Sequence, residues 1–391
     1  MSPNEARPQN LLIVGAGELG REICLSAKEL GFHVVAIDRY PNAPAMGVCD
    51  VAEVVDLLDG EALEKAIRKH APDLVFPELE TIRSERLVSL AREGVTVVPT
   101  AESLQLASSR EGMRALAAQE LELPTAAYGF AGSEAELRTV AGRIGYPCVV
   151  KPVLSFSGRG QSIVGGVARL DRAWAFAQEE GPGDVSRVIV EELVEFDEEI
   201  TLVAVRHPGG AVRFLPPIGH RQEGGDFRES WIPAGVPEAA LDQAHSFARR
   251  LVERLGGAGV YGIEFFVVGD EVIFSEISPG PHDTAMVTLI SHDLSQFELH
   301  VRAALGFPVP RLHDHGPSAS AVILGRKEGE VKGYRGIARA LEVPSARVRI
   351  FGKQTARRDR RMGLALAAGA TVEEARVRAL EAASRVDVEV H

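Results

Sequence analysis

Residues 259–284 read GVYGIEFFVVGDEVIFSEISPGPHDT. Two runs rich in β-branched and aromatic residues, 261–268 and 271–277, flank Gly269-Asp270, a pattern that predicts a β-hairpin turning at those two residues. Such a turn sets Glu264 on the outgoing strand nearly opposite Glu276 on the returning one, at cross-strand contact. Two carboxylates among Ile, Phe and Val repel each other and lose hydration unless a cation sits between them. Magnesium suits the pair, because it takes one or two protein carboxylates and completes its octahedron with water and phosphate oxygens. The competing reading turns one of the two glutamates to solvent.

The surrounding chain has 391 residues, enough for two or three domains at ~150 residues each. Its first ten residues, MSPNEARPQN, hold no apolar signal core, and no apolar run approaches the ~18 residues of a membrane span, so a soluble, cytoplasmic protein without a membrane partner is expected. Cys24, Cys49 and Cys148 are odd in number and scattered, which indicates neither a disulfide framework nor a zinc knuckle. A net charge of −12 argues against nucleic acid as a partner and obliges any phosphate-bearing ligand to be met by a local cluster of Lys and Arg.

Upstream, the apolar strand 11–14 runs into Gly15-Ala16-Gly17-Glu18-Leu19-Gly20, followed by helical periodicity over 21–30. A second strand, 33–37, ends at Asp38, the spacing at which a dinucleotide fold places its ribose-binding acid. Read alone the turn says NAD, although its physical content is only that an anionic ligand can approach the backbone and a helix N-terminus. Strands at 73–76 and 95–98 complete a parallel α/β sheet. Glu78 then stands at a strand's carboxyl edge, where ligands of such sheets bind, or is a surface acid in a loop.

Helical pattern over 108–121 marks a domain boundary. Ser133 with Glu136 reads as a capping box opening helix 133–144, and strand 148–150 ends at Lys151. The loop Ser155-Phe156-Ser157-Gly158-Arg159-Gly160-Gln161 can fold over polyphosphate with its N–H groups and a cation; lying between strands, it is unlike a Walker loop. Strand 187–190 ends at Glu191-Glu192-Leu193-Val194, with Glu199 beyond, positions suited to an adenine edge and ribose hydroxyls or else plain surface acids. Strands 200–205 and 212–215, a polar loop 219–231 and helix 239–255 lead to the hairpin. After it, His282 is a candidate base or a loop-stabilising hydrogen bonder. Strands 346–351 and 363–367 are joined by a segment with five cations in nine residues, Lys353 to Arg361, and Thr371 with Glu374 opens a last helix. That segment is the required phosphate cluster or a solvated hairpin tip.

In combination, the N-terminal α/β unit, the Lys151 strand with its Gly-rich loop, the Glu191 strand end and the Glu264/Glu276 pair resemble the ATP-grasp superfamily. GAGELG, DRYPNAPAM, PELE, SSREGMR, GYPCVVKP, GHRQEGGDFRESW, FSEISPGPHDT and FGKQTARRDRRMG resemble, more closely, the formate-dependent phosphoribosylglycinamide formyltransferases of purine synthesis. The likeness spans the whole chain. It implies an α/β and α+β multidomain fold: a Rossmann-like N-terminal domain (1–108), a two-lobed ATP-grasp domain (109–187 and 188–318) and a small β-rich C-terminal module (319–391). It further implies that Arg110, Lys151, Ser157, Gly158, Arg159, Gly160, Gln161, Glu191, Glu192, Leu193, Val194 and Glu199 hold ATP, and that Glu264 and Glu276 hold Mg2+. Glu18, Leu19, Glu78, Asp283, Lys353, Arg360 and Arg361 would hold glycinamide ribonucleotide, which reassigns GAGELG from NAD. Lys151 and Asp283 are the catalytic candidates, formate is the third substrate, and a homodimer is implied.

Four positions depart from the family pattern. Phe156 and Arg159 replace a serine and a lysine of SSSGKG, and the family's SPRPHDTG is here Ser278-Pro279-Gly280-Pro281-His282-Asp283-Thr284-Ala285, without the arginine and the final glycine. Three rivals stand beside this reading: a ligase for another small carboxylate or bicarbonate; from another class, a nicotinamide dehydrogenase built on the GAGELG domain, against which the ATP-type loop and metal pair speak; and a homologue weakened in catalysis, to which the loss at Gly280 points.

Overall fold

The computed structural model describes residues 10–78, 82–154, 160–180 and 187–391. Strand Asn10–Val14 lies inside a four-stranded parallel sheet, in the order Val51–Val54, His33–Asp38, Asn10–Val14, Leu74–Pro77. After Asn10 it is apolar because both faces are covered. Leu11 and Ile13 join a core with Val203, Ile218, Phe297 and Leu364, whereas Leu12 and Val14 pack with Leu63, Ile67 and Leu87. The first of these cores ties the N-terminal sheet to the rest of the molecule. Residues 95–98, expected as a strand, contribute a single parallel bridge, Val75 to Val97, since Pro99 follows at once and has no N–H to extend a ladder.

The GAGELG turn behaves as its glycines require. Gly15 sits at φ +101°, a Cβ on Gly20 would meet the Gly15 carbonyl at 2.6 Å, and Gly17 has open space on its side-chain face. These are the tight turn, the close packing and the open approach of a ligand-binding loop. With Gly17 as N-cap, the helix runs Glu18–Glu29, three residues earlier than periodicity suggested.

A second, four-stranded sheet has the order Tyr128–Ala131, Val188–Glu192, Cys148–Pro152, Ser162–Val164. Cys148 and Val150 face the helices Glu134–Ile144 and Leu170–Glu180, which by strand alternation turns Lys151 to the opposite face. Ser133 accepts from the Glu136 N–H at 3.2 Å, but Glu136 returns its bond to Gly132 rather than to Ser133. Thr371, Glu374 and Ala370 repeat that displacement, while the reciprocal capping box occurs at Ser295 and Glu298.

The third layer is a long antiparallel sheet: Glu271–Pro279, Gly259–Val268, Glu198–Arg206, Ile218–Glu223, Asp226–Ile232, Ser318–Leu324, Arg361–Ala368, Arg347–Ile350, with Val212–Phe214 against Glu198–Arg206. Residues 219–231 are therefore a hairpin and not a loop; Gly224 and Gly225, at φ +60° and +85°, make the two-residue turn. Ala240, Ala244, Ala248 and Leu251 of helix Glu238–Leu255 cover Tyr261, Ile263 and Phe265. The sheet passes residue 318 without a break, because Asp226–Ile232 pairs directly with Ser318–Leu324. The C-terminal module extends this sheet under helix Val372–Ser384, whose Ala375, Ala379 and Ala382 allow close approach. Among the described residues, no helix is long and apolar enough to cross a membrane.

Candidate active site

The hairpin turns at Gly269-Asp270 and sets Glu264 directly opposite Glu276, with a bulge immediately after Glu264. Glu264 is buried and Glu276 half-buried. Both line a cavity of about 370 Å³ that also receives Glu199 from the neighbouring strand. Burial, then Glu199 and Glu276, push the Glu264 carboxyl well above its ordinary range. Burial likewise raises Glu199 to about 7, with Glu276 adding to the rise against the pull of Lys151. The sheet thus gathers three carboxylates that oppose one another's ionisation. Their cationic neighbours are Lys151 and Arg110, whose Nη1 lies 3.6 Å from Glu276 Oε2. An oxygen-rich acidic set of this kind fits a hard divalent cation such as Mg2+.

Lys151 reaches this cavity from the second sheet. Its Nζ is 2.6 Å from Glu191 Oε2, and Arg114 Nε donates to Glu191 Oε1 at 2.9 Å. Burial alone would raise the Glu191 carboxyl, but Lys151 and then Arg114 more than offset it and hold it far below the usual range. Glu191, expected to meet ATP, uses its carboxylate to fix Lys151. Glu192 is exposed and accepts from the Ala127 N–H at 3.3 Å, and Leu193 and Val194 follow half-buried beyond the strand end. Gln161 and Arg110 line the cavity, and Gly160 turns at φ +70° beside Pro152. Ser157, Gly158 and Arg159 lie outside the described residues.

Five of the seven ribonucleotide candidates, Glu18, Leu19, Glu78, Asp283 and Arg361, line the same cavity, from two other directions. Glu18 and Leu19 stand at the start of the first helix and Glu78 at the end of strand Leu74–Pro77. From the C-terminal module come Arg361, paired with Asp283, and Lys353, whose Nζ is 2.9 Å from Glu18 Oε1. Burial raises the Asp283 carboxyl, yet Arg361 and then His282 bring it down to about 2. Burial also lowers Lys353, against Glu18. The basic segment therefore divides: Lys353 and Arg361 turn inward, Arg360 donates to the Thr355 carbonyl at 2.9 Å, and Arg357 and Arg358 are exposed. Asp38 is not placed as a ribose acid. Its buried carboxylate accepts from the N–H groups of Ala16, at 2.8 Å, and Arg39.

Two imidazoles stand beside Glu264. His282 Nε2 lies 3.4 Å from Glu264 Oε1, and its Nδ1 is 2.8 Å from Thr284 Oγ1, which is bonded to Thr201. His220 is buried, held neutral by burial with its pKa lowered to about 3 against the Ile200 backbone, and it hydrogen-bonds neither Glu199 nor Glu264. His220 was hidden in the sequence because 219–231 read as a loop; as a strand, His220 and Gln222 share one face, and Gln222 lines the cavity.

Comparison with known proteins accords with this geometry. The ATP-grasp domain family matches residues 116–297, the ribonucleotide synthetase preATP-grasp domain residues 9–108, and the family described as PurT, C-terminal, residues 318–386. A formate-dependent phosphoribosylglycinamide formyltransferase of Synechococcus elongatus is 50% identical over 382 residues, 98% of each chain. Among solved structures, glycinamide-RNase-transformylase T from Mycobacterium tuberculosis superposes with a TM-score of 0.80 at 36% identity, covering 96% of this chain and 99% of that one. The N5-carboxyaminoimidazole ribonucleotide synthetase from Thermus thermophilus gives 0.82 at 30% identity, over 97% and 99%. Backbone likeness does not separate these two activities, whereas full-length identity and the C-terminal match do, and the chain belongs to the formate-dependent phosphoribosylglycinamide formyltransferase family of ATP-grasp enzymes.

Proposed function

We propose that this protein formylates glycinamide ribonucleotide with formate and ATP, through formyl phosphate, in purine biosynthesis. One observation carries the reading. The acids Glu199, Glu264 and Glu276, with Lys151, share a single cavity with Arg361 and Asp283, so a nucleotide triphosphate and a ribonucleotide can meet there. In the first step a formate oxygen attacks the γ-phosphorus and the bond to the bridging oxygen breaks, releasing ADP. In the second the amine nitrogen attacks the formyl carbon, phosphate leaves, and the nitrogen loses a proton.

Lys151, fixed by Glu191, and Arg110 meet the polyphosphate, and such placed cations supply most of phosphoryl-transfer catalysis. Mg2+ held by Glu264 and Glu276 would neutralise charge on the transferring group. Asp283, with its pKa near 2, is a poor proton acceptor; it accepts a hydrogen bond from the amine and orients it. Lys353, Arg360 and Arg361 take the ribonucleotide phosphate, while Glu18, freed from Lys353, meets its hydroxyls. On the family likeness the protein is taken as a cytoplasmic homodimer.

The test uses formate labelled with 18O at both oxygens. Transfer through formyl phosphate leaves one 18O in the released phosphate, read by mass spectrometry. Unlabelled phosphate would contradict the acyl-phosphate route.

A further inference from the structure

Glu199, His220 and Glu264 stand on three adjacent strands of the long sheet, in the spatial order Gly259–Val268, Glu198–Arg206, Ile218–Glu223. His220 Nδ1 is 3.7 Å from Glu199 Oε2, and Nε2 is 3.9 Å from Glu264 Oε1. Both distances exceed a hydrogen bond, so the ring is placed between two acids without bonding either. One potential ligand atom from each residue lies within 4.8 Å of the other two. Ligands ~2.1 Å from one ion stand ~3 Å apart at a right angle and ~4.2 Å apart across it, so small side-chain movements close the set around a cation. With the Ile200 backbone as its one hydrogen-bonding neighbour, the buried imidazole has a second ring nitrogen unserved, which is costly, and coordination would satisfy it.

We propose that Glu199, His220 and Glu264 form a second cation position, beside the Glu264/Glu276 pair and sharing Glu264 with it, that takes a borderline divalent ion such as Mn2+. Imidazole nitrogen with two carboxylates selects Mn2+, Fe2+ or Zn2+ over Mg2+, which keeps to oxygen. Three rigid strands hold the donors, as a preorganised site requires. His282 is the competing imidazole: its Nε2 lies 3.4 Å from Glu264 Oε1 while Thr284 engages only its Nδ1, so the test separates the two rings by substitution.

The experiment is pulsed EPR on the full chain, free of nucleotide, with Mn2+ added. The wild type is expected to show 14N coupling to Mn2+, and Glu276→Gln to retain it. His220→Gln should lose the coupling and bind Mn2+ at least about tenfold more weakly, since even outer partners of metal ligands cost about that factor. Absence of 14N coupling in the wild type, a reading that depends on no variant's folding, overturns the proposal. So does coupling that survives in His220→Gln, coupling lost in His282→Gln instead, or coupling lost in Glu276→Gln, which would merge the two positions into one.

Discussion

Glu264 shows how one residue serves the site at the cost of the fold. Its carboxyl is buried beside Glu199 and Glu276, and an ionised group there loses hydration without a full counter-charge. Glu264→Gln should therefore raise the melting temperature of the chain in EDTA at pH 8, by roughly 1–3 kcal/mol of stability, one pKa unit being about 1.4 kcal/mol. In calorimetry Mg2+ should raise the wild-type melting temperature, and Glu276→Gln, which removes a ligand and keeps the shape, should abolish Mg2+-dependent ADP formation. Normal turnover by Glu276→Gln at ordinary Mg2+ would dismiss the pair as a metal site. The approximate pairing was legible from the Gly269-Asp270 turn, but a regular ladder from that turn would set Glu264 opposite Ser275; the bulge that brings Glu276 opposite instead, and the non-local strand pairing that adds Glu199 as a third acid, are revealed by no local pattern.

Gly280 belongs to the same scale. Its backbone is at φ +127°, and an added Cβ would meet nothing closer than Glu78 Oε1 at 3.5 Å. Space is open but the conformation suits glycine. Gly280→Ala should cost about 1–3 kcal/mol in urea unfolding without any clash, and Gly280→Arg, the family's residue, should meet the same strain and so not simply restore a faster enzyme. Unchanged stability in Gly280→Ala would show that this segment relaxes freely.

Among elements, the basic segment and the Glu191 strand are the informative ones. The segment's charge was visible in sequence, yet which cations turn inward depends on Arg361 opening strand Arg361–Ala368 beside Asp283. Lys353→Ala and Arg361→Ala should each raise KM for the ribonucleotide by about 1.5–3 kcal/mol, the worth of a charged hydrogen bond, and barely change KM for ATP in steady-state assays; an effect mainly on ATP would assign the segment to the other ligand. Glu191→Gln leaves Lys151 and Arg114 without their shared counter-charge, and should cost about 3–5 kcal/mol at pH 7. The folded Glu191 pKa is depressed, so its stabilisation is present above about pH 4.5 and is lost as pH falls through the folded value. The variant's deficit should accordingly shrink in acid unfolding below about pH 4.5; a pH-independent deficit would contradict the ion-pair account. Residues 219–231 escaped reading as strands because their polar side chains hide the period of two, and only Gly224-Gly225 marked the turn.

At the scale of the molecule, strand and helix patterns conveyed the three layers in order, but not that one antiparallel sheet runs from the acidic hairpin into the C-terminal module. That continuity, set by the pairing of Asp226–Ile232 with Ser318–Leu324, brings Arg361 to the cavity that holds Lys151 and the three acids. On the proposed function, this shared cavity couples ATP cleavage to formate and glycinamide ribonucleotide. The most direct measurement is ADP release by the purified chain with Mg2+ and either formate or bicarbonate, each with glycinamide ribonucleotide, with aminoimidazole ribonucleotide, or with neither. Sustained ADP release with formylated product only in the formate and glycinamide ribonucleotide arm is the predicted result; release led by bicarbonate with aminoimidazole ribonucleotide, or no release in any arm, would contradict it.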